Sequence, residues 1–167
     1  MIKVSNLTFR YSGTSFQLRV PEFSLQQNER VAIVGPSGSG KTTLLNLIAG
    51  ILTPEAGQID VAGIDVAKLS DAARRRFRAS TIGFVFQDFA LLDYLSARQN
   101  ILYPYRITPA LTLPQEARDR AEALAASCAI ADKLDRHPAE RSQGEQQRVA
   151  ICRALVTQPK LILSDEA

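Results

Sequence analysis

Residues 35–42 read Gly35-Pro36-Ser37-Gly38-Ser39-Gly40-Lys41-Thr42. This stretch matches the pattern G-x-x-x-x-G-K-[ST] without deviation. Glycines permit positive φ angles, so the backbone can wrap closely around an anion and point successive N–H groups at it. The stretch therefore predicts a phosphate-binding loop, in which Lys41 pairs with the β- and γ-phosphates of a nucleotide and the Thr42 hydroxyl binds Mg²⁺.

The segments on either side of this loop support the prediction. Residues 31–34 form a short, continuous apolar run, which is typical of a strand buried on both faces of a parallel sheet. A helix is predicted from Thr42 to Ala49, and Gly50 follows at the position where helices commonly end. The motif thus has a strand before it and a helix after it, which is the context that phosphate-binding loops require.

Two carboxylates follow a second apolar run, residues 161–164, which predicts another fully buried strand. Asp165 and Glu166 lie where this strand ends, and ligands of open α/β sheets bind at the carboxyl ends of the strands. Asp165 is predicted to hold Mg²⁺ through its water shell. Glu166 is predicted to accept a proton from an attacking water.

The remaining patterns complete an α/β architecture. The chain before the loop alternates as antiparallel strands, with one slip of register near Asn6, and residues 57–62 and 81–86 are predicted strands. Ser70 is predicted to cap a short basic helix. Ser96 and Gln99 form a capping-box pattern that predicts the start of a helix ending before Pro104, and further helices are predicted over 115–128 and over 143–157. We therefore predict one α/β domain over 1–167, which combines a mainly parallel sheet with an N-terminal antiparallel β subdomain. Its α/β core with antiparallel strands covers 1–89 and 158–167, and a helical insertion covers 90–157.

A third motif narrows the class of protein. Residues 141–155 read Arg-Ser-Gln-Gly-Glu-Gln-Gln-Arg-Val-Ala-Ile-Cys-Arg-Ala-Leu. This stretch resembles the signature of ABC ATPases, Leu-Ser-Gly-Gly-Gln followed by Gln-Gln-Arg-Val-Ala-Ile-Ala-Arg-Ala-Leu. Ser142 at a helix N-terminus, with Gly144 two residues later, offers a hydroxyl, backbone N–H groups and the helix dipole to one anion.

The resemblance covers essentially the whole chain and implies the fold, the activity and the site of an ABC nucleotide-binding domain. It implies a P-loop NTPase core that binds and hydrolyses ATP with Mg²⁺. Lys41, Gln87 and Glu166 are the implied catalytic residues, and Thr42, Gln87 and Asp165 are the implied metal-binding residues. The implied nucleotide-binding residues are Tyr11, which would stack on adenine, Gly35, Pro36, Ser37, Gly38, Ser39, Gly40, Lys41, Thr42 and Thr43, together with Ser142 and Gly144, which would contact the ATP of a partner subunit.

The family resemblance also implies partners and a location. Two such domains would form a head-to-tail dimer, as a homodimer or as paired ABC domains, and would drive integral membrane subunits from the inner face of the membrane. Residues 82–100 resemble the exporter branch that includes lipoprotein-release and macrolide-export ATPases. No apolar run reaches the roughly 18 residues of a membrane span, so the pathway is expected in another polypeptide or domain. The net charge of +3 gives no reason to expect nucleic acid.

Some positions depart from the family pattern. Arg141 replaces leucine, Gln143 replaces glycine and Glu145 replaces glutamine in the signature. Glu145 adds a negative charge near a negatively charged ligand, which leaves the efficiency of the motif open. The sequence stops at Ala167, before the loop and the switch histidine that the family pattern continues into, so we expect ATP binding with little turnover by these residues alone.

Two rival classes share the phosphate loop. ABC proteins that act on ribosomes also carry glutamate at the fifth signature position, but they join two such domains through a long charged linker. The DNA-repair and chromosome class inserts long coiled coils, whereas only about a hundred residues without heptads separate Lys41 from Ser142. A protein that binds ATP without turning it over remains a third alternative.

Overall fold

The computed structural model describes residues 2–108 and 111–165. The chain divides into two compact units, residues 1–75 and 76–167. The phosphate loop belongs to the first unit, and the signature and the acidic strand end belong to the second.

The first unit is built on a four-stranded antiparallel sheet in the order β2-β1-β3-β4. Its strands are β1 (Ile2–Arg10), β2 (Gln17–Leu25), β3 (Ala56–Val61) and β4 (Ile64–Asp65). The predicted slip near Asn6 is confirmed, because Asn6 has φ +49° and the β1–β3 register shifts between Ser5 and Thr8. An extra residue of this kind bends a strand locally.

Helix α1 (Lys41–Ile48) follows the phosphate loop. As predicted, the helix ends at glycine: Gly50 has φ +65°, and its N–H donates to the Leu47 carbonyl at 3.0 Å. Helix α2 (Asp71–Thr81) spans the boundary between the units, and the Ser70 hydroxyl accepts a hydrogen bond from the N–H of Ala73 at 3.3 Å. The apolar core of the first unit includes Leu47, Ile48, Ile59, Val61 and Val66.

The described part of the second unit contains one parallel strand pair and four α-helices that lie wholly within it. Its elements are β5 (Ile82–Val85), α3 (Ala97–Ile101), α4 (Tyr103–Ile107), α5 (Gln115–Ser127), α6 (Gln143–Leu155) and β6 (Leu161–Ser164). Short 3-10 helices cover Ala131–Lys133 and Pro138–Glu140. The apolar face of α5 packs on α6 around Ala121, Ala125, Val149 and Cys152. Both cysteines are free thiols, and burial raises the pKa of Cys152 to about 12.

Two predictions about buried strands are wrong. Residues 31–34 form no strand, and Val34 is 91% exposed. In strand β6 only Leu163 is buried, and Ile162 is 53% exposed. An apolar run becomes a doubly buried strand only where neighbouring strands and helices cover it. Within residues 2–108 and 111–165, β5 and β6 form a two-stranded sheet with no further strand beside them. No described strand pairs with residues 31–34.

The start of α3 gives a test of local stability. Ser96 and Gln99 form the predicted capping box, in which each side chain accepts a hydrogen bond from the other residue's backbone N–H. We expect Ser96→Ala to lower the free energy of unfolding by about 1 kcal/mol, because it orphans an N–H group. Ser127 at the end of α5 donates to the Ala123 carbonyl and caps no N–H, so Ser127→Ala should change stability by less than about 0.5 kcal/mol. Equal urea midpoints for the two variants would contradict this assignment.

Candidate functional site

Left-handed glycines shape the phosphate loop. Gly38 has φ +76° and Gly40 has φ +97°, which are backbone conformations that residues other than glycine rarely adopt. A Cβ added to Gly40 would lie 3.0 Å from Phe16 Cζ and 3.1 Å from Leu18 Cδ1. Side chains at the start of β2 thus pack closely against the phosphate loop at the point where α1 begins. The Gly40 carbonyl accepts the first helical hydrogen bond from Leu44 at 2.8 Å.

The side chain of Lys41 folds back into the phosphate loop. Its Nζ donates to the carbonyl oxygens of Gly35 and Pro36, both at 2.9 Å. The loop therefore surrounds a cation at the N-terminal end of a helix, where the helix dipole also favours negative charge. Loop glycines, lysine and helix start together fit a polyphosphate group.

Tyr11 lies beside the start of the same helix. Its hydroxyl is 3.2 Å from Thr43 Oγ1, and its ring packs edge-on against Phe9, with ring centroids 4.8 Å apart. The ring also approaches Phe16, and the residue remains 38% exposed. The fold thus fixes a partly exposed aromatic ring next to the phosphate loop, which is the arrangement that stacking on a base requires.

An open groove in the second unit gathers residues from two motifs. It has a volume of about 490 Å³ and is lined by Gln87, Phe89, Gln143, Gly144 and Gln147. Gln87 follows strand β5, whereas the other polar lining residues come from the first turns of α6. The structure therefore brings Gln87 and the signature glycine to one surface, although they are far apart in sequence.

Arg153 is a residue of this groove region that the sequence did not single out. Its guanidinium donates to the carbonyls of Phe89 and Ala90, at 2.5 and 2.6 Å. Phe89 and Ala90 both have positive φ angles, +60° and +45°. Burial lowers the pKa of Arg153, and the nearby Asp88 carboxylate opposes that effect. Helix α6 thereby fixes the strained backbone that follows Gln87.

Ser142 caps α6, as the signature predicts. Its hydroxyl accepts a hydrogen bond from the N–H of Glu145 at 3.3 Å, and Glu145 Oε2 accepts one from the N–H of Ser142 at 3.0 Å. The other carboxylate oxygen of Glu145 binds Lys133 Nζ. The Lys133 ammonium, followed by the Ser142 N–H, lowers the pKa of Glu145 from its ordinary value near 4.5 to about 2.

The other departures from the signature also find places in the structure. Arg141 is buried at 7% exposure, and its Nη2 donates to the carbonyls of Lys133 and Arg136. Its Nε and Nη1 are buried without a hydrogen-bond partner, and burial lowers its pKa. Gln143 lines the groove beside Gly144. An arginine thus fills the position of the leucine in the family pattern and holds the preceding loop through backbone carbonyls.

Asp165 follows β6 and is 6% exposed, and its N–H donates to the Val85 carbonyl at 3.0 Å. The parallel pairing thus places its backbone at the carboxyl ends of β5 and β6. Glu166 lies outside the described residues. Among the residues that the structure describes, no group of three or more His, Cys, Asp or Glu side chains could hold a metal ion, and no helix is long and apolar enough to span a membrane.

The low pKa of Glu145 gives a prediction about pH. A carboxylate whose pKa is lowered by folding adds stability above its unfolded pKa, near 4.5, and loses that contribution as the pH falls toward 2. We expect Glu145→Gln to lower the urea midpoint at roughly neutral pH and to have a smaller effect near pH 3. A difference between the two proteins that does not change with pH would show that the ionised carboxylate is not the stabilising group.

The fold and the phosphate loop define an α/β P-loop nucleoside triphosphatase with an antiparallel β subdomain. Residues 18–167 match the protein family described as "ABC transporter". The chain therefore belongs to the ABC transporter family and is an ATP-binding domain of that family.

Two curated relatives illustrate the branch. The lipoprotein-releasing system ATP-binding protein LolD of Chromohalobacter salexigens is 46% identical over 145 residues, which are 87% of this chain and 60% of LolD. The ABC transporter ATP-binding protein YxdL of Bacillus subtilis is 41% identical over 99% of this chain and 65% of YxdL. The chain thus spans about three-fifths of the length of these relatives, and the predicted similarity to the lipoprotein-release branch is confirmed.

A solved structure supports the same family. The ATP-binding cassette MJ0796, in a dimeric post-hydrolysis state bound to ADP and Pi, superposes with a TM-score of 0.88 at 34% identity. The match covers 98% of this chain and 73% of that cassette. The predicted fold class is confirmed.

Proposed function

We propose that the protein is the ATP-binding and ATP-hydrolysing subunit of an ABC transporter of the lipoprotein-release or exporter type. The observation that carries this proposal is the presence, in one chain, of a lysine-bearing phosphate loop and a serine-capped signature helix. Both are helix N-termini shaped for anions, one by Gly40 and Lys41 and the other by Ser142 and Gly144. A bound ATP would contact only one of these two helix N-termini on any one chain.

Residues 35–43 would bind the phosphates of ATP, and Tyr11 would stack on the adenine. Lys41 would exchange its loop carbonyls for phosphate oxygens, with Thr42, Gln87 and Asp165 holding Mg²⁺. When bound, the metal would neutralise charge on the phosphates of the nucleotide. Gln87 would orient the attacking water, and Glu166 would accept its proton. Most of the catalysis in phosphoryl transfer comes from such positioning.

Ser142 and Gly144 would bind the γ-phosphate of an ATP held by a second copy or a paired ABC domain. The helical segment 90–157 would form a separate subdomain of the cassette, and this subdomain would carry Ser142 and Gly144. The solved dimers of MJ0796 support a dimeric arrangement for this chain. ATP would close the dimer, because each nucleotide would contact both subunits, and hydrolysis would reopen it.

The partners would be integral membrane subunits, which this subunit would drive from the cytoplasmic face of the membrane. The names of the LolD relatives support lipoproteins as cargo. The groove beside Gln87 and the exposed Tyr94, which follows a few residues later in the chain, are the proposed docking region for a short helix of such a partner.

Crosslinking tests this assignment. Cysteines placed at Asp88 and Tyr94, in a protein whose Cys128 and Cys152 are replaced by alanine, should crosslink to a membrane protein in intact membranes. A matched cysteine at Lys3, on the sheet of the first unit, should not. Crosslinks from Asp88 and Tyr94 to ribosomal proteins or to DNA-bound proteins would move the protein to one of the rival ABC classes.

A further inference from the structure

The fifth signature position carries a carboxylate whose charge is matched by a lysine from a different segment. Lys133, which ends the 3-10 helix Ala131–Lys133, donates to Glu145 Oε1, and their side chains are only 25% and 14% exposed. The second oxygen, Oε2, accepts the Ser142 N–H at 3.0 Å. Each oxygen of the carboxylate therefore has its own donor, and one of the donors is the serine of the signature.

This arrangement sets the direction of the Ser142 hydroxyl. The Ser142 oxygen accepts a hydrogen bond from the Glu145 N–H, so the hydroxyl proton is the part of that group left to donate. The capping box holds the serine in one orientation at the positive end of a thirteen-residue helix. Glu145 is thus part of the device that aims Ser142.

The same carboxylate creates an electrostatic conflict. It lies in the first turn of the helix whose N-terminus would meet a γ-phosphate, and like charges brought close together repel each other. Lys133 cancels the charge of Glu145 without displacing its capping contact. Arg141, another departure from the signature, holds the backbone of this segment through the carbonyls of Lys133 and Arg136.

We propose that Lys133 is a positioning residue for Ser142: by neutralising Glu145, it lets a carboxylate cap the signature helix without repelling the nucleotide. Lys133, Arg141 and Glu145 then form one coupled replacement for the leucine and glutamine of the family pattern. Lys133 acts through Glu145 and needs no contact with the nucleotide. The proposal rests on the proposed function, in which Ser142 meets the ATP of a second subunit.

The test measures the concentration of a slowly hydrolysed ATP analogue that gives half-maximal dimer of the full-length protein. Lys133→Gln removes the charge and keeps a long polar side chain, and we expect it to raise that concentration about tenfold. Glu145→Gln alone should stay within about threefold of the unmodified protein, because it removes the repulsive charge and keeps a capping group. The double variant Lys133→Gln/Glu145→Gln should also return to within about threefold, and so should Lys133→Arg.

Rescue by Glu145→Gln separates charge compensation from a structural role, since a misfolded loop would not recover when a second side chain is changed. The defect of Lys133→Gln should also shrink between roughly 0.05 and 0.5 M salt, because salt screens exposed charges. A double variant as defective as Lys133→Gln, or Lys133→Gln with no defect, would overturn the proposal. If the unmodified protein forms no nucleotide-dependent dimer, the proposed function itself fails. Nucleotide binding to the monomer should be equal in all four variants.

Discussion

Replacing Lys41 with alanine is expected to weaken Mg-ATP binding at least tenfold, about 1.4 kcal/mol. In the structure the ammonium group lies among the carbonyls of the phosphate loop, where it can transfer to phosphate oxygens when a nucleotide binds. Alanine removes the only side-chain cation of residues 35–43. Isothermal titration calorimetry with Mg-ATP measures the affinity directly.

The matched control for this variant is Lys68→Ala in the same unit. Lys68 has an 80% exposed side chain and pairs with Asp65 on the surface, so its loss changes the net charge equally without touching the loop. We expect its affinity for Mg-ATP to stay within about twofold of the unmodified protein. Similar affinities for Lys41→Ala and the unmodified protein would show that nucleotide does not bind at this loop.

Replacing Gly57 with alanine is expected to cost about 3 kcal/mol or more of unfolding free energy, because two penalties add. Gly57 has φ +96°, and an added Cβ would lie 2.5 Å from the Asn6 carbonyl oxygen and 2.6 Å from Leu7 Cα. These atoms belong to the backbone at the bulge of β1, so they cannot rotate away as a side chain can. Urea denaturation followed by circular dichroism measures the loss.

Gly63 separates the two penalties. It also has a left-handed conformation, φ +84°, but an added Cβ would meet nothing within 4 Å. Gly63→Ala should therefore show only the conformational cost, about 1 kcal/mol. Equal losses of unfolding free energy for the Gly57 and Gly63 variants would mean that β1 can move away from β3. The close approach of the two strands at Gly57 would then not be a fixed feature of the antiparallel sheet in the first unit.

Local patterns predicted the features that depend on a few neighbouring residues. The phosphate loop with its following helix, the capping box at Ser96, the helix start at Ser142 and the register slip near Asn6 are determined by contacts within about four residues or across one strand pair. Glycine conformation, capping and alternation are properties of such short segments, so the sequence contains the information needed. The family motifs then extended these local predictions to a complete cassette.

Long-range contacts decided where prediction failed. The apolar residues 31–34 have strand composition, yet a strand also needs a hydrogen-bonded neighbour, which composition does not supply. Lys133 lies twelve residues before Glu145 with no periodic relation to it, so only the folded loop reveals their pairing. Arg153 reaches carbonyls more than sixty residues away. The charge of Glu145, which left the efficiency of the signature open, is matched by this lysine, which the sequence did not single out.

Mixing two defective variants tests whether each ATP lies between the phosphate loop of one subunit and the signature of another. Lys41→Ala disables the loop. Gly144→Asp adds a carboxylate to the signature groove, where a Cβ would make only an ordinary 3.5 Å contact with Arg148, so the fold should persist. In a mixed head-to-tail dimer one composite site contains both defects and the other contains neither.

The measurement is the amount of slowly hydrolysed ATP analogue trapped in dimers of the full-length protein, separated by gel filtration. We expect almost no dimer for either variant alone. An equimolar mixture should form dimers that hold about one nucleotide each, because one intact composite site remains. A mixture that behaves as the sum of its two components would contradict the shared site and, with it, the role assigned to Ser142 and Gly144.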